Sequence, residues 1–187
     1  KLGKYATGAK KIENATDLST FVLEVEKNRL FSGIFFVCLP TPMKKNGSCD
    51  ISIVESVLDE LASNKNNLYG LNRIAVVKST VPPGTVESWN KKYHSSLLRI
   101  VFNPEFLTEA NALNDMRNQD RIILGGDEIN ARKVEQLYKI AFDSVPIYKT
   151  SSTNAEMVKY VANCFLATKV SFANEMYQAC EKLFNQG

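Results

Sequence analysis

Apolar residues along this chain gather in short runs, separated by stretches with helical periodicity. Gly33-Ile-Phe-Phe-Val-Cys-Leu39 is one such run, ended by Pro40-Thr41-Pro42. Continuous rather than alternating apolarity predicts a strand covered on both faces, as in a parallel sheet. Arg73-Ile-Ala-Val-Val-Lys78 is a second strand and leads into Ser79-Thr-Val-Pro-Pro-Gly-Thr85. Leu97-Leu-Arg-Ile-Val-Phe102 is a third. Pro104 fixes φ and offers no N–H to a sheet, so that strand should stop there. Asp120-Arg-Ile-Ile-Leu-Gly-Gly126 predicts a fourth strand. Val145-Pro-Ile-Tyr148 predicts a fifth, placed at an edge by its proline.

Helical patterns lie between these runs. Asp17 or Ser19 is placed to cap a helix with Phe21, Val22, Val25 and Leu30 inward, while residues 1–15 carry little periodicity. Ser52-Ile-Val-Glu55 fits a capping box opening a helix with Val54, Leu58 and Leu61 on one side. A third helix carries Val86, Trp89 and Tyr93. A fourth, around Ala131 to Phe142, turns Val134, Leu137, Tyr138 and Ala141 inward. Thr153-Asn-Ala-Glu156 is a second capping box, and its helix runs to about Phe184. Strands alternating with helices predict an α/β fold, a Rossmann-like parallel sheet followed by one long helix. The division falls at residues 1–150 and 151–187. Right-handed crossovers bring Thr41, Ser79, Thr80 and Glu105 to one edge, where open α/β sheets hold ligands.

Two pairs of polar residues then matter. Glu105 and Glu109 stand four apart and face the same way if a helical turn forms. The alternative is two carboxylates favouring a helix start. Lys159 and Asn163 share one face of a helix that is apolar nearly all round from Met157 to Ala173. Lys159 is either an ammonium aimed into a polar cleft near Glu105 or a side chain snorkelling at a rim. So apolar a helix needs cover on more than one side, from a partner subunit through residues 157–173 or from a further domain.

Composition excludes more than it assigns. The 187 residues are 44% apolar with a net charge of +3, and the basic residues are scattered, so nothing points to nucleic acid. No apolar run is long enough for a membrane span, and the start has no apolar signal core. It also lacks an initiator Met, so the chain reads as cut from something longer. Cys38, Cys49, Cys164 and Cys180 form no C-x-x-C pair and the one His has no partner motif, so no metal site is expected. Cys38 and Cys164 read as small buried hydrophobes, and the thiols as reduced, in a cytoplasmic protein.

Five segments, in order, resemble the nucleotide-sugar 6-dehydrogenases. They are Leu39-Pro-Thr-Pro42 with Gly47 and Asp50; Lys78 to Thr85; Asn103-Pro-Glu-Phe-Leu107 with Glu109; Asp120 to Gly126; and Ala155 to Glu175. The third argues against the hydroxyacid dehydrogenases, which also join a Rossmann domain to a helix bearing Lys and Asn. UDP-glucose is the nearer substrate and GDP-mannose the closest competitor. The resemblance implies NAD as cofactor and a two-step oxidation of the sugar C6 alcohol to a carboxylate through a cysteine thioester. It implies that Thr41, Ser79, Thr80 and Glu109 lie beside NAD, with Thr80 also in the catalytic set. It implies that Glu105 organises the water or proton transfer, Lys159 steadies oxyanion character and Asn163 holds sugar or water. Phe106, Leu107, Glu109, Lys159 and Asn163 would line the UDP-sugar pocket.

The departures are as definite. The family's Gly-x-Gly turn has no counterpart before Gly33, and no cysteine matches its Gly-Gly-x-Cys nucleophile. Ala110 stands where Gly is usual, and Thr108 where Arg or Ala often is. The expectation is therefore the middle of an enzyme, inactive alone. Its partner is a second copy or a complementary chain carrying the missing segments. A non-catalytic dimerisation module is the competing reading.

Overall fold

Strand burial explains why the sheet sits between two layers of helix. In Arg73–Val77, every residue is buried. Ile74 and Val76 join one core cluster, Ala75 and Val77 the other. Alternate residues of a strand face opposite sides, so a strand apolar throughout must be covered twice. The structure, a computed structural model, describes residues 33–63 and 73–184, apart from the Glu109 side chain. The helix expected to carry Phe21, Val22, Val25 and Leu30 lies outside the described residues.

The described elements are β1 (Ile34–Val37), α1 (Ser52–Ser63), β2 (Arg73–Val77), α2 (Thr85–Lys92), β3 (Leu98–Phe102), a 3-10 turn (Glu109–Asn111), α3 (Ala112–Arg117), β4 (Ile122–Gly125), α4 (Glu128–Ala141), β5 (Ile147–Thr150) and α5 (Ser152–Phe184). The sheet order is β1-β2-β3-β4-β5. One face is covered by α1 and α2 through Val54, Leu58, Leu61, Val86 and Trp89. The other is covered by α4 through Ala131, Val134 and Tyr138. Two hydrogen bonds join α1 to α2, Trp89 Nε1 to Glu55 Oε1 at 2.9 Å and Tyr93 O–H to Asp59 Oδ1 at 2.7 Å.

The α/β architecture is as expected, with one turn in it. Pairs β1–β2, β2–β3 and β4–β5 are parallel, but β3 meets β4 antiparallel at Phe102 and Gly125. A parallel return needs a crossover that carries the chain back along the strand. The six-residue α3 is only about 9 Å long, against about 17 Å for a five-residue strand. The chain therefore re-enters the sheet near the end where β3 leaves it, and the sheet is mixed.

Both expected capping boxes give way to closer competitors. The Asp50 carboxylate accepts the Ser52 N–H at 3.1 Å, and Glu55 is turned to Trp89 instead. At the long helix, Ser151 Oγ accepts the Asn154 N–H at 3.2 Å, two residues before the expected cap. Glu156 is thereby freed for another partner. Helix α4 also starts early, at Glu128, because Asp127 accepts the Asn130 N–H at 3.0 Å. Leu137 was expected inward but is exposed, since the buried stripe runs through Asn130, Ala131, Val134 and Tyr138. Cys38 is exposed because β1 is the last strand of the sheet among the described residues. Cys164 is exposed because only the first two turns of α5 are covered, through Ser152, Ala155, Glu156 and Lys159.

Those two turns are held tightly. A Cβ on Gly125 would stand 2.6 Å from the Ala155 Cβ and 2.9 Å from the Ser152 Cα, so only glycine lets β4 approach α5 this closely. Glu156, with no exposed surface, reaches across to α2. Its two carboxylate oxygens accept the N–H groups of Gly84 at 2.6 Å and Val86 at 2.8 Å. Gly84 is the left-handed N-cap of α2, and no side chain of its own caps that helix. The carboxylate thus satisfies N–H groups that a helix start leaves without partners and faces the positive end of its dipole. No helix among the described residues is long and apolar enough to cross a membrane.

Candidate functional site

The ends of β1, β2 and β3 do converge, and α5 crosses beside them. Asn103 follows β3 directly and is 2% exposed. Its Nδ2 donates to Ile123 O at 2.9 Å, which ties the end of β3 to β4. Pro104 then ends the ladder and delivers Glu105. The Lys159 ammonium donates to Glu105 O at 2.5 Å and lies 3.3 Å from Glu105 Oε1. Lys159 is only 5% exposed. That value decides between its two readings, because a snorkelling lysine keeps its charged head in water. Glu105 Oε2 is buried with no hydrogen-bond partner.

Phe106 completes this side. Two cations lie over its ring, the Arg121 guanidinium 4.5 Å and the Lys159 ammonium 5.6 Å from the centroid. Arg121 in turn is paired with Asp120 at 2.8 Å. Leu107 is half-buried beyond it. Asn163, one turn along α5 from Lys159, is exposed. The helical turn expected to align Glu105 with Glu109 does not form. Residues 103–108 have no regular structure, and a 3-10 turn begins at Glu109.

The threonines form a second cluster. Thr41 Oγ1 donates to Thr80 O at 2.8 Å, joining the loops after β1 and β2. Ser79 is buried and its Oγ accepts the Leu39 N–H at 2.9 Å, so its hydroxyl oxygen is spent inside the fold. Thr41 and Thr80 line an open cavity of about 250 Å³ with Met43, Gly47, Cys49 and Tyr160. The Cys49 Sγ sits 3.9 Å from both Thr41 O and Thr80 O. A space of this size takes one end of a dinucleotide rather than the whole. The Thr80 hydroxyl, with no partner among the described residues, remains available to it.

Three residues here escaped the sequence reading: Lys78, Glu156 and Asn103. Lys78 Nζ donates to Asn103 Oδ1 at 3.0 Å. Burial pushes its ammonium below the ordinary value, while Cys38 and Glu105 pull the other way. Burial likewise pushes the Glu156 carboxyl up, against the two N–H groups it accepts.

Comparison with known proteins bears on the same residues. The family model for the UDP-glucose/GDP-mannose dehydrogenase family, NAD binding domain, matches residues 7–142. The model for the same family's central domain matches residues 153–185. A UDP-glucose 6-dehydrogenase of Bacillus subtilis is 35% identical over 169 residues, covering 87% of this chain and 37% of that protein. The UDP-glucose 6-dehydrogenase of Rickettsia bellii is 33% identical, with coverage of 98% and 41%. Among solved structures, a UDP-glucose dehydrogenase from Pyrobaculum islandicum is similar at a TM-score of 0.69 and 32% identity, covering 83% of this chain and 39% of that one. A GDP-mannose dehydrogenase from Pseudomonas aeruginosa is similar at a TM-score of 0.67 and 31% identity, covering 80% and 36%. The chain therefore spans well under half the length of these relatives.

Proposed function

Because the chain belongs to the UDP-glucose/GDP-mannose dehydrogenase family, we propose that it carries the Glu105–Lys159 half of a UDP-glucose 6-dehydrogenase site. The observation that carries this reading is the buried ammonium of Lys159 held on the carbonyl and carboxylate of Glu105. A fixed positive charge in a dry site stabilises oxygen charge as it develops. Lys159 does this for the C6 oxygen of the sugar. Glu105 Oε2, buried and without a partner, takes or returns a proton, directly or through water. Phe106 and Leu107 give the sugar an apolar wall, and Asn163 supplies an amide from the next turn of α5. NAD, when bound, supplies the hydride acceptor. Thr41, Thr80 and Glu109 are the residues of this chain that would hold it, with Ser79 bracing the two threonine loops from inside.

The covalent step to the acid needs the thiol of the family's Gly-Gly-x-Cys segment, which no cysteine of this sequence matches. The proposal therefore includes a complementary segment. The helix supports it: Val161, Phe165, Leu166, Val170 and Phe172 are each more than half exposed. Such a patch is large for a surface left in water. A second copy packing through residues 157–173, or a chain bearing the Gly-Gly-x-Cys segment, would cover it.

The test is NADH formation by the chain with NAD and UDP-glucose, first alone and then mixed with that segment. NADH in the mixture, faster with UDP-glucose than with GDP-mannose, is the expected result. No NADH with any nucleotide sugar in either arm would remove the proposal.

A further inference from the structure

Strand β2 is buried along its whole length, yet a lysine follows it directly. Lys78 is half-buried, and its Nζ donates to Asn103 Oδ1 at 3.0 Å and lies 3.5 Å from Asn103 O. Asn103 Oδ1 also accepts the Tyr138 O–H at 2.5 Å, and Nδ2 donates to Ile123 O. Asn103 is therefore gripped from β2, β4 and α4 at once. The charged and titratable groups facing Lys78 are Cys38, Glu105 and Lys159. Among the described residues, no carboxylate lies within ion-pair distance of it. An ammonium in such a place, holding only neutral oxygens, costs stability that an apolar residue would not. A cost borne at the end of a core strand, beside the candidate site, points to a local role.

We propose that Lys78 is a positioning residue for the Glu105–Lys159 pair. It holds both the side chain and the main-chain carbonyl of Asn103. That peptide leads through Pro104 to Glu105, whose own carbonyl and carboxylate hold Lys159. The contacts make one continuous path from Lys78 through Asn103 and Glu105 to Lys159. The consequence for substrate rests on the function proposed above; the geometric claim does not.

The experiment uses the full chain and two signals at fixed pH: the Lys159 Cε–Hε and Glu105 amide resonances, and the dissociation constant for UDP-glucose. Lys78→Met should shift both resonances and weaken UDP-glucose about tenfold, the size of one hydrogen bond to a charged group. Lys78→Arg keeps the charge and the donors, and should restore most of both. Trp89→Phe, which removes the hydrogen bond to Glu55 on the far side of the sheet, should move neither. Should Lys78→Met fail to fold, Lys78→Gln is read against the same signals, with a smaller shift expected. Unchanged Lys159 and Glu105 resonances in the Lys78 variant would overturn the proposal, and so would equal shifts in Trp89→Phe. If the wild-type chain binds no UDP-glucose but the resonances still move, Lys78 keeps its role and the dehydrogenase reading fails alone.

Discussion

Replacing Glu156 with leucine should destabilise the fold by about 3 kcal/mol, because two buried backbone donors lose their acceptor together. The carboxylate is the cap of α2, supplied from α5 across 70 or more positions of sequence. Leucine fills a similar volume, so the loss reports the Gly84 and Val86 N–H groups rather than a cavity. Glu156→Gln keeps one acceptor and should lose less. Urea unfolding measures both. The two variants also share a pH signature. Burial raises the folded-state value of this carboxyl above its ordinary 4.5. The folded state then binds the proton more tightly than the unfolded state. The resulting stability is fully present below 4.5 and is lost as pH rises through the raised folded value. Wild-type stability should therefore fall across that window more than the Gln variant's does. Identical slopes would mean that the carboxyl does not titrate there.

Lys159→Met carries the second large effect. In an enzyme assembled around this chain, kcat should fall about 10²- to 10³-fold, the cost of removing one preorganised stabiliser of oxygen charge. KM should change far less, since that charge develops only in the transition state. The variant should also lose stability. It strands Glu105 Oε1 beside an Oε2 that already lacks a partner, and breaking one side of a buried pair leaves an uncompensated charge. Adding Glu105→Gln to Lys159→Met should recover part of that stability without recovering turnover. Additive losses in the double variant would show that the two side chains act separately.

How far the sequence carried depends on the range of each interaction. The strands were legible because burial on both faces writes a continuous apolar run, as in Arg73–Val77. The Lys159–Glu105 pairing was legible because a lysine in the apolar stretch of α5 needs a partner. Glu105 was the nearest candidate at the strand ends. The reversal at β4 was not legible, since it follows from the length of α3 rather than from any residue in the strand. The capping boxes misled because Asp50 and Ser151 offer equally good acceptors two residues earlier. Glu156 and Lys78 were missed for one reason: each is explained by partners far along the chain. Cys38 and Leu137 were placed inside because periodicity predicts a face but not what covers it.

The most direct test is to titrate UDP-glucose into the chain to millimolar concentration and follow backbone and lysine resonances. Shifts at Glu105, Phe106, Lys159 and Asn163 are the predicted result. They would place the sugar on the Glu105–Lys159 pair without requiring turnover. Shifts confined to the cavity lined by Thr41, Cys49 and Tyr160, or none at all, would contradict the account.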